Sequence, residues 1–185
     1  VHSAMPISQA YRCCPSAVFL RPRIKLYREV SSQIFNIFHN FSDQVEGLSL
    51  DEAFIDVTGS QKLFGTGPQI ATRIKEQILT SEQLTASVGV GTNKYVAKVA
   101  SDLDKPDGLV VVPGGMERDF LAPLKISRLW GAGGKAQTKL RTLGVKTIGD
   151  VANLNPTVLE TALGQAMGRR FHELANGHDL RSVCT

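Results

Sequence analysis

The sequence predicts an α+β fold in two parts, and three observations lead to that prediction. Up to residue 112, segments with helical spacing of apolar residues alternate with short apolar segments typical of strands. Such an alternation fits a split β-α-β sheet with helices on one face. Beyond it the pattern turns helical, with a glycine-rich turn between two helices. The 185 residues suffice for one domain with a core, or for one domain and a small appendage.

Proline and glycine mark the ends of several elements in the first part. The first helix is expected to begin near Pro6, because proline is tolerated in a first helical turn, and to end before Pro15. A loop is expected at 63–68. The predicted helices cover 6–14, 24–41, 70–79 and 94–103. A pair of strands is predicted at about 44–58, and single strands are predicted at 18–20, 85–91 and 109–112.

The second part is predicted to be a helix, a glycine turn and a helix, followed by more helices. Its expected elements are a short helix ending at Trp130, a turn at 131–134, and helices over 135–143, 147–154 and 156–175. The turn presents backbone N–H groups and a helix N-terminus, which favour a phosphate. Lys135, Lys139 and Arg141 follow closely in the sequence. The alternative is a plain helical hairpin whose glycines allow close packing.

The positive charge of the chain is concentrated in this second part. The whole chain carries a net charge of +4. Residues 1–121 contain 12 Lys and Arg against 13 Asp and Glu, whereas residues 122–185 contain 9 against 4. This distribution suggests a polyanionic partner for residues 122–185. A solvated basic face is the alternative.

Asp51 and Glu52 are the residues that most directly suggest chemistry. They are adjacent and lie in an apolar run that otherwise predicts a strand, where a charge is costly unless it is paired or holds a metal. Their hard oxygen atoms suit Mg²⁺, which binds through one or two carboxylates together with substrate phosphates. An acidic pair in an exposed hairpin turn is the other interpretation. The pair alone leaves both open.

Several other kinds of site are not indicated. Cys13, Cys14 and Cys184 form neither an even framework nor a CxxC motif, which favours free thiols in a cytosolic chain. The four histidines show no metal-binding spacing. The glycine turn before Lys135 lacks the first glycine and the Ser or Thr of a Walker loop. No apolar run approaches the roughly 20 residues that span a bilayer, so no membrane partner is expected.

Four blocks together resemble one family in collinear order. They are SLDE with AFIDVT at 49–58, VHSAMP at 1–6, SVGVGTNK and AKVASDLDKPDG at 87–94 and 97–108, and ISRLWGAG through TIGD at 126–150. They resemble the second carboxylate motif, the fingers segment, the third palm block and the helix–hairpin–helix thumb of the Y-family DNA polymerases, the polymerase IV-like translesion enzymes. The resemblance implies a ferredoxin-like split β-α-β palm over 23–121, partial fingers over 1–22 and an all-α thumb over 122–185.

The resemblance also implies roles for individual residues. Asp51 and Glu52 would hold two Mg²⁺ ions and act as catalytic ligands for nucleotidyl transfer. Lys105 would meet the triphosphate of an incoming deoxynucleotide as a point charge. Lys94 and Lys98 would lie near the phosphate-handling surface of the palm and contact DNA.

Further implied contacts concern the thumb and the partners. Gly131 and Gly133 would offer backbone amides to the primer–template DNA, and Lys135 would add charge; contacts of this kind position DNA without reading its sequence. A sliding clamp would bind through a region beyond Thr185, and the enzyme would be cytoplasmic.

Departures from the family pattern lead to one more expectation. His2 stands where most relatives have a basic Arg or Lys, and Gly134 stands where a more rigid residue is usual. The family's first palm strand, with its Asp ligand and aromatic steric gate, would precede Val1, as would its Tyr-x-x-Arg element. The 185 residues alone are therefore expected not to polymerise DNA. The alternative function is a non-catalytic DNA- or partner-binding scaffold in DNA repair.

Overall fold

Helices dominate the fold, and the strands are short. The computed structural model describes residues 1–2 and 4–185. The helices are α1 (Ile7–Cys13), α2 (Ile24–His39), α3 (Gln61–Phe64), α4 (Gly67–Glu82), α5 (Lys94–Ser101), α6 (Glu117–Leu121), α7 (Gly134–Thr142), α8 (Ile148–Asn153), α9 (Pro156–Leu163) and α10 (Gln165–Ala175). The strands are β1 (Val45–Gly47), β2 (Ala53–Ile55), β3 (Val88–Val90) and β4 (Leu109–Val111), and short 3-10 turns cover Thr58–Ser60 and Ile126–Arg128.

The four strands form two separate pairs. Strands β1 and β2 make an antiparallel hairpin in which Val45 pairs with Ile55 and Gly47 with Ala53. Strands β3 and β4 are parallel, and α5 is the crossover between them, so this segment is a β-α-β unit. The α+β class predicted from the sequence is confirmed. Within the described residues the strands do not join into one sheet.

Local side-chain signals explain where several helices begin. Helix α4 starts at a capping box, in which the backbone N–H of Thr66 donates to the Gln69 side chain at 2.8 Å. Helix α5 is capped by the Asn93 side chain, which accepts from the N–H of Val96 at 3.0 Å. Thr147 caps α8, as the sequence indicated. The cap of α5 is important because this helix carries two of the predicted phosphate-site lysines, Lys94 and Lys98.

Three predicted elements differ from the structure. Residues 18–20 form no strand, and all three side chains are exposed. The predicted loop at 63–68 begins inside α3. The single last helix is wrong, because Gly164 has a φ of 94° and separates α9 from α10. A positive φ is incompatible with a continuous right-handed helix.

Two apolar cores hold the fold together. The smaller core packs α2 against α4 through Ile37, Phe41, Ile70, Ile74 and Ile78, with the β1–β2 hairpin on its edge.

The larger core joins α5 to the helices that follow it. Tyr95 and Val96 of α5 share this core with Leu140, Ile148 and Phe171. The larger core therefore contains residues from both sides of the predicted domain boundary between 121 and 122. The boundary itself stays a prediction. The helical second part packs directly on the helix that bears the predicted phosphate-site lysines.

Candidate metal and phosphate site

The acidic pair lies in the turn of the β1–β2 hairpin. The turn is closed by the N–H groups of Leu48 and Ser49, which donate to the carbonyl of Glu52 at 2.8 and 3.3 Å. Asp51 is exposed, and its carboxylate accepts from the Ser49 hydroxyl at 2.6 Å. The strand pair expected over about 44–58 is present, and the acidic pair lies in the turn between its two strands. Five residues, 48–52, connect the two three-residue strands, so the chain reverses its direction at the acidic pair.

Glu52 is the start of a chain of ion pairs that continues onto α5. Its carboxylate lies 2.7 Å from the Lys98 ammonium, which also lies 3.2 Å from Asp102. The other carboxylate oxygen of Asp102 lies 2.5 Å from the Lys105 ammonium. We call these four residues the charge relay. The structure thus brings together Glu52 and two of the predicted phosphate-site lysines.

The environment of the charge relay keeps its central groups ionised. Burial by itself lowers the pKa of Lys98, whose side chain is 17% exposed, but hydrogen bonds to Glu52 and Asp102 outweigh burial and raise that pKa. Burial raises the pKa of Asp102, but hydrogen bonds from Lys105 and Lys98 outweigh it and lower the pKa below its ordinary value. Both groups therefore stay charged at neutral pH.

Lys94 lies outside this relay and has a different environment. Its side chain is only 8% exposed, and its ammonium lies 2.6 and 2.8 Å from the two carboxylate oxygens of Glu46. The carbonyl of Ser182 accepts a third hydrogen bond at 3.0 Å, and the Phe54 ring centroid is 5.2 Å away. The predicted contact of Lys94 with DNA stays a prediction, and in this structure the ammonium is enclosed by protein groups.

The last residues of the chain form a clasp across α5. The Asp179 carboxylate accepts from the N–H of Tyr95 at 3.2 Å and lies 2.6 Å from the Arg181 guanidinium. Arg181 in turn lies over Trp130, 4.7 Å from the ring centroid, and Trp130 meets the edge of Phe54. The clasp therefore ties the hairpin, α5 and the helical second part to each other.

The clasp predicts a pH-dependent stability. Burial raises the pKa of Asp179, but the Arg181 guanidinium outweighs it and holds that pKa below its ordinary value. A depressed pKa gives stability that is present above the unfolded-state pKa of about 3.9 and is lost as the pH falls through the native value. We expect Asp179→Asn to lower the free energy of unfolding at pH 7 by about 1–3 kcal/mol. The difference from the parent chain should shrink below about pH 4.

Trp130 is the single tryptophan, so its fluorescence during urea unfolding measures this effect directly. Asp104→Asn, a change at an exposed aspartate just beyond the end of α5, serves as the control and should change the stability little. A constant difference between the parent and Asp179→Asn from pH 7 to pH 3 would contradict the assigned role of the carboxylate.

The glycine turn lies beside the charge relay. A cavity of about 430 Å³ is bounded by Lys98 and Asp102 on one side and by residues 127–133 on the other. Gly131 has a φ of 89°, a conformation that favours glycine. The N–H of Gly133 donates to the carbonyl of Gly131 at 3.0 Å, so this amide is used within the turn. Lys135 is exposed in the first turn of α7.

Sequence reasoning missed two residues that organise the site. Asp102 contacts both Lys98, four residues before it, and Lys105, three residues after it, and this spacing at the end of α5 is a signal that could have identified it. Glu46 lies 48 residues from Lys94 in the sequence, and only the fold brings the two together.

The residues of the hairpin turn match part of a magnesium site. Asp51 and Glu52 supply hard carboxylate oxygens, and Glu52 already holds a cation, the Lys98 ammonium. In the described part of the chain, no group of three or more His, Cys, Asp or Glu side chains is placed to bind a metal. The pair thus offers the one or two carboxylates through which Mg²⁺ usually binds, the remaining positions being left to water and phosphate.

Comparison with known families gives two matches that follow each other along the chain. Residues 1–102 match the impB/mucB/samB family, and residues 127–179 match the thumb domain described for DNA polymerase iota. The first match covers the hairpin turn and all of α5, and the second covers the glycine turn.

Curated relatives and solved structures agree with these matches. The chain is 50% identical over 183 residues to DNA polymerase IV of Desulfatibacillum aliphaticivorans, covering 99% of this chain and 46% of the relative. DNA polymerase IV of Alkalilimnicola ehrlichii is 44% identical, with 99% and 51% covered. The crystal structure of DinB from Sulfolobus solfataricus superposes with a TM-score of 0.89 at 34% identity, covering 99% of this chain and 54% of that one. An insertion ternary complex of Dbh DNA polymerase gives a TM-score of 0.86 with the same identity and coverage. The chain spans about half the length of the curated relatives it matches.

Proposed function

The chain belongs to the impB/mucB/samB family, the Y-family of DNA polymerases, and from this membership we propose that it supplies the palm and thumb of a translesion DNA polymerase. The observation that carries the proposal is the charge relay, which places Glu52, Lys98 and Lys105 on one surface beside the glycine turn. A metal ligand, phosphate-binding cations and a DNA-backbone contact are the groups that template-directed nucleotidyl transfer requires. A scaffold protein has no use for an acidic pair so placed.

We assign residues 23–121 to the palm and 122–185 to the thumb, with 1–22 as part of the fingers. A groove of about 650 Å³ lies between β2 and β3 and is floored by Ile70 and Ile74 of α4. The facing edges of β2 and β3 carry no strand in the described residues. One further strand in this groove would join the two pairs into a single ferredoxin-like split β-α-β sheet. This arrangement supports the palm assignment.

The proposed chemistry is attack of the primer 3′-oxygen on the α-phosphate of a deoxynucleoside triphosphate, with loss of pyrophosphate. Asp51 and Glu52 would hold the Mg²⁺ ions. When bound, two such ions lower the pKa of the 3′-hydroxyl and stabilise the charge of the leaving group. The hairpin turn suits this role because it exposes both carboxylates while the backbone bonds of Leu48 and Ser49 to Glu52 fix their position.

Lys105 and Lys98 would face the phosphates of the bound substrates. Lys105 is exposed at the end of the relay, and its ammonium can reach a triphosphate as a point charge. Lys98 lies between the metal-binding turn and the cavity beside Gly131 and Gly133. Lys94 keeps a weaker assignment to DNA, since Glu46 neutralises it in this structure.

The glycine turn would hold the backbone of primer–template DNA. Gly131 shapes the turn, and Gly133 leaves open space where a side chain would otherwise stand. Because the Gly133 amide is already bonded, the free amides nearest to a phosphate are those of the first turn of α7, which lack partners within the helix. Lys135 adds charge at the same place. The Dbh structure named above is a ternary complex, which supports these assignments.

Other expectations stay proposals. A sliding clamp would bind outside the 185 residues, and the cytoplasm is the expected location. Among residues 1–2 and 4–185, no helix is both long and apolar enough to cross a membrane. The isolated chain is expected not to extend a primer, because two carboxylates form an incomplete two-metal site.

A grafted polymerase tests the proposed function. In it, this chain replaces the 183-residue segment that it matches in DNA polymerase IV of Desulfatibacillum aliphaticivorans. We expect the grafted polymerase to extend a primer in the presence of Mg²⁺. A grafted polymerase that folds and binds primer–template DNA but adds no nucleotide would contradict the proposal.

The DNA contact of the glycine turn predicts a strong salt dependence. Binding of the 185-residue chain to a short primer–template duplex should weaken with salt, with a log–log slope of about −0.9 for each phosphate contacted. Lys135→Ala should reduce the magnitude of that slope by about 1. Lys25→Ala, an equally exposed change on α2, is the control and should leave it unchanged. An affinity that does not vary between low and physiological salt would exclude the proposed thumb contact.

A further inference from the structure

Lys98 occupies the position next to Glu52 that a metal ion would need. Its ammonium is 2.7 Å from Glu52 and 3.2 Å from Asp102, so it bridges a carboxylate of the hairpin turn and one of its own helix. The side chain is 17% exposed, which limits how far water can screen its charge. An ammonium and a divalent cation repel each other and compete for the same carboxylate oxygens.

Asp102 provides the alternative acceptor that Lys98 requires. Its two oxygens are divided, with Lys105 on one and Lys98 on the other. Lys98 can therefore leave Glu52 without losing every anionic partner. The carbonyl of Asp102 also accepts from the Arg128 guanidinium at 3.2 Å, which anchors this end of α5 to the second part of the chain.

We propose that Lys98 is an exchangeable counter-ion of Glu52, and that Asp102 is the positioning residue that receives Lys98 when a divalent cation binds. This inference rests on the proposed metal role of Glu52 and goes beyond it. Lys98 offsets the charge of Glu52 in the metal-free chain, which reduces the repulsion between Glu52 and Asp51. On metal binding the ammonium moves onto Asp102 and stays beside the metal site, where a substrate phosphate would lie.

A double-mutant cycle on the 185-residue chain tests this exchange. The measured quantity is the dissociation constant of Mn²⁺, obtained from the electron paramagnetic resonance signal of the free ion. We expect Lys98→Met to tighten Mn²⁺ binding by about two- to fivefold, because a competing cation in a partly exposed pair is removed. Asp102→Asn should weaken it to a similar extent, because Lys98 then stays on Glu52. Lys139→Met removes a lysine whose ammonium donates to the Ala162 carbonyl, away from the acidic turn, and should have no effect.

The double variant with Lys98→Met and Asp102→Asn distinguishes the proposed exchange from a direct electrostatic effect of Asp102 on the bound ion. If Asp102 acts through Lys98, Asp102→Asn has no effect in the Lys98→Met background. A through-space effect of the Asp102 charge would instead persist there and would overturn the proposal. Unchanged or weaker Mn²⁺ binding by Lys98→Met would overturn it as well. Circular dichroism confirms that each variant is folded.

Glu52→Gln distinguishes failure of this inference from failure of the proposed function. Weaker Mn²⁺ binding by Glu52→Gln together with an additive cycle would leave Glu52 as a metal ligand and refute only the exchange. Mn²⁺ binding that does not depend on Glu52 would refute both. Restoration of parental Mn²⁺ affinity by Lys98→Arg would support the counter-ion role, because the charge alone is then sufficient.

Discussion

Asp51→Asn is expected to abolish primer extension by the grafted polymerase, with a fall of about a thousandfold in rate. A loss of that size corresponds to roughly 4 kcal/mol of transition-state stabilisation, within the range that metal coordination supplies. Asparagine has the same shape, but its neutral amide is a poor ligand for Mg²⁺. Because Asp51 is exposed and its carboxylate accepts from Ser49 within its own turn, the substitution should leave the fold intact.

Single-turnover kinetics measure the rate of nucleotide addition, and a DNA-binding measurement on the same variants distinguishes a loss of catalysis from a loss of DNA binding. Binding of primer–template DNA should be nearly unchanged, since the glycine turn lies on a different element. Asp43→Asn is the matched control, an exposed aspartate at the other end of the same hairpin, and it should retain the parental rate. Equal rates for Asp51→Asn and the parent would show that the acidic pair is not catalytic.

Gly89→Ala should destabilise the chain by about 3 kcal/mol, at the upper end of what overpacking usually costs. Strand β3 crosses α5 so closely that a Cβ on Gly89 would lie 2.0 Å from the carbonyl oxygen of Ala97 and 2.5 Å from the N–H nitrogen of Ser101. Both obstacles are backbone atoms of α5, which cannot rotate away as a side chain can. The helix that carries Lys98 and Asp102 must therefore move.

Urea unfolding of the two glycine variants measures the effect. Gly59→Ala is the control, because a Cβ at that position meets nothing within 4 Å, and its stability should stay within about 0.5 kcal/mol of the parent. If Gly89→Ala unfolds at the same urea concentration as Gly59→Ala, the close contact between β3 and α5 is wrong.

Much of the fold could be predicted because its signals are local. The spacing of apolar residues predicted α2 and α4, and a cap residue predicted the start of α8. Two apolar runs with a helix between them predicted the β-α-β unit. Residues 18–20 show the limit of this approach. They are apolar but exposed and unpaired, because strand preference depends on packing and burial and not on the residue type alone.

Residues of the candidate site could be predicted from the sequence, but the contacts between them could not. The acidic pair and Lys105 were identified from motifs, and the family resemblance is confirmed. The pairing of Glu52 with Lys98, 46 residues apart, and the enclosure of Lys94 by Glu46 depend on how the hairpin packs against α5. Sequence spacing within one element carries no information about such long-range ion pairs.

We propose the hairpin turn of Asp51 and Glu52 as the metal centre of a polymerase. Anomalous diffraction from Mn²⁺ tests it most directly, in crystals of the grafted polymerase with primer–template DNA and a non-reactive nucleotide. We predict an anomalous peak bonded to oxygens of both carboxylates at roughly 2.0–2.3 Å. Mn²⁺ bound to the nucleotide but absent from Asp51 and Glu52 would contradict the claim.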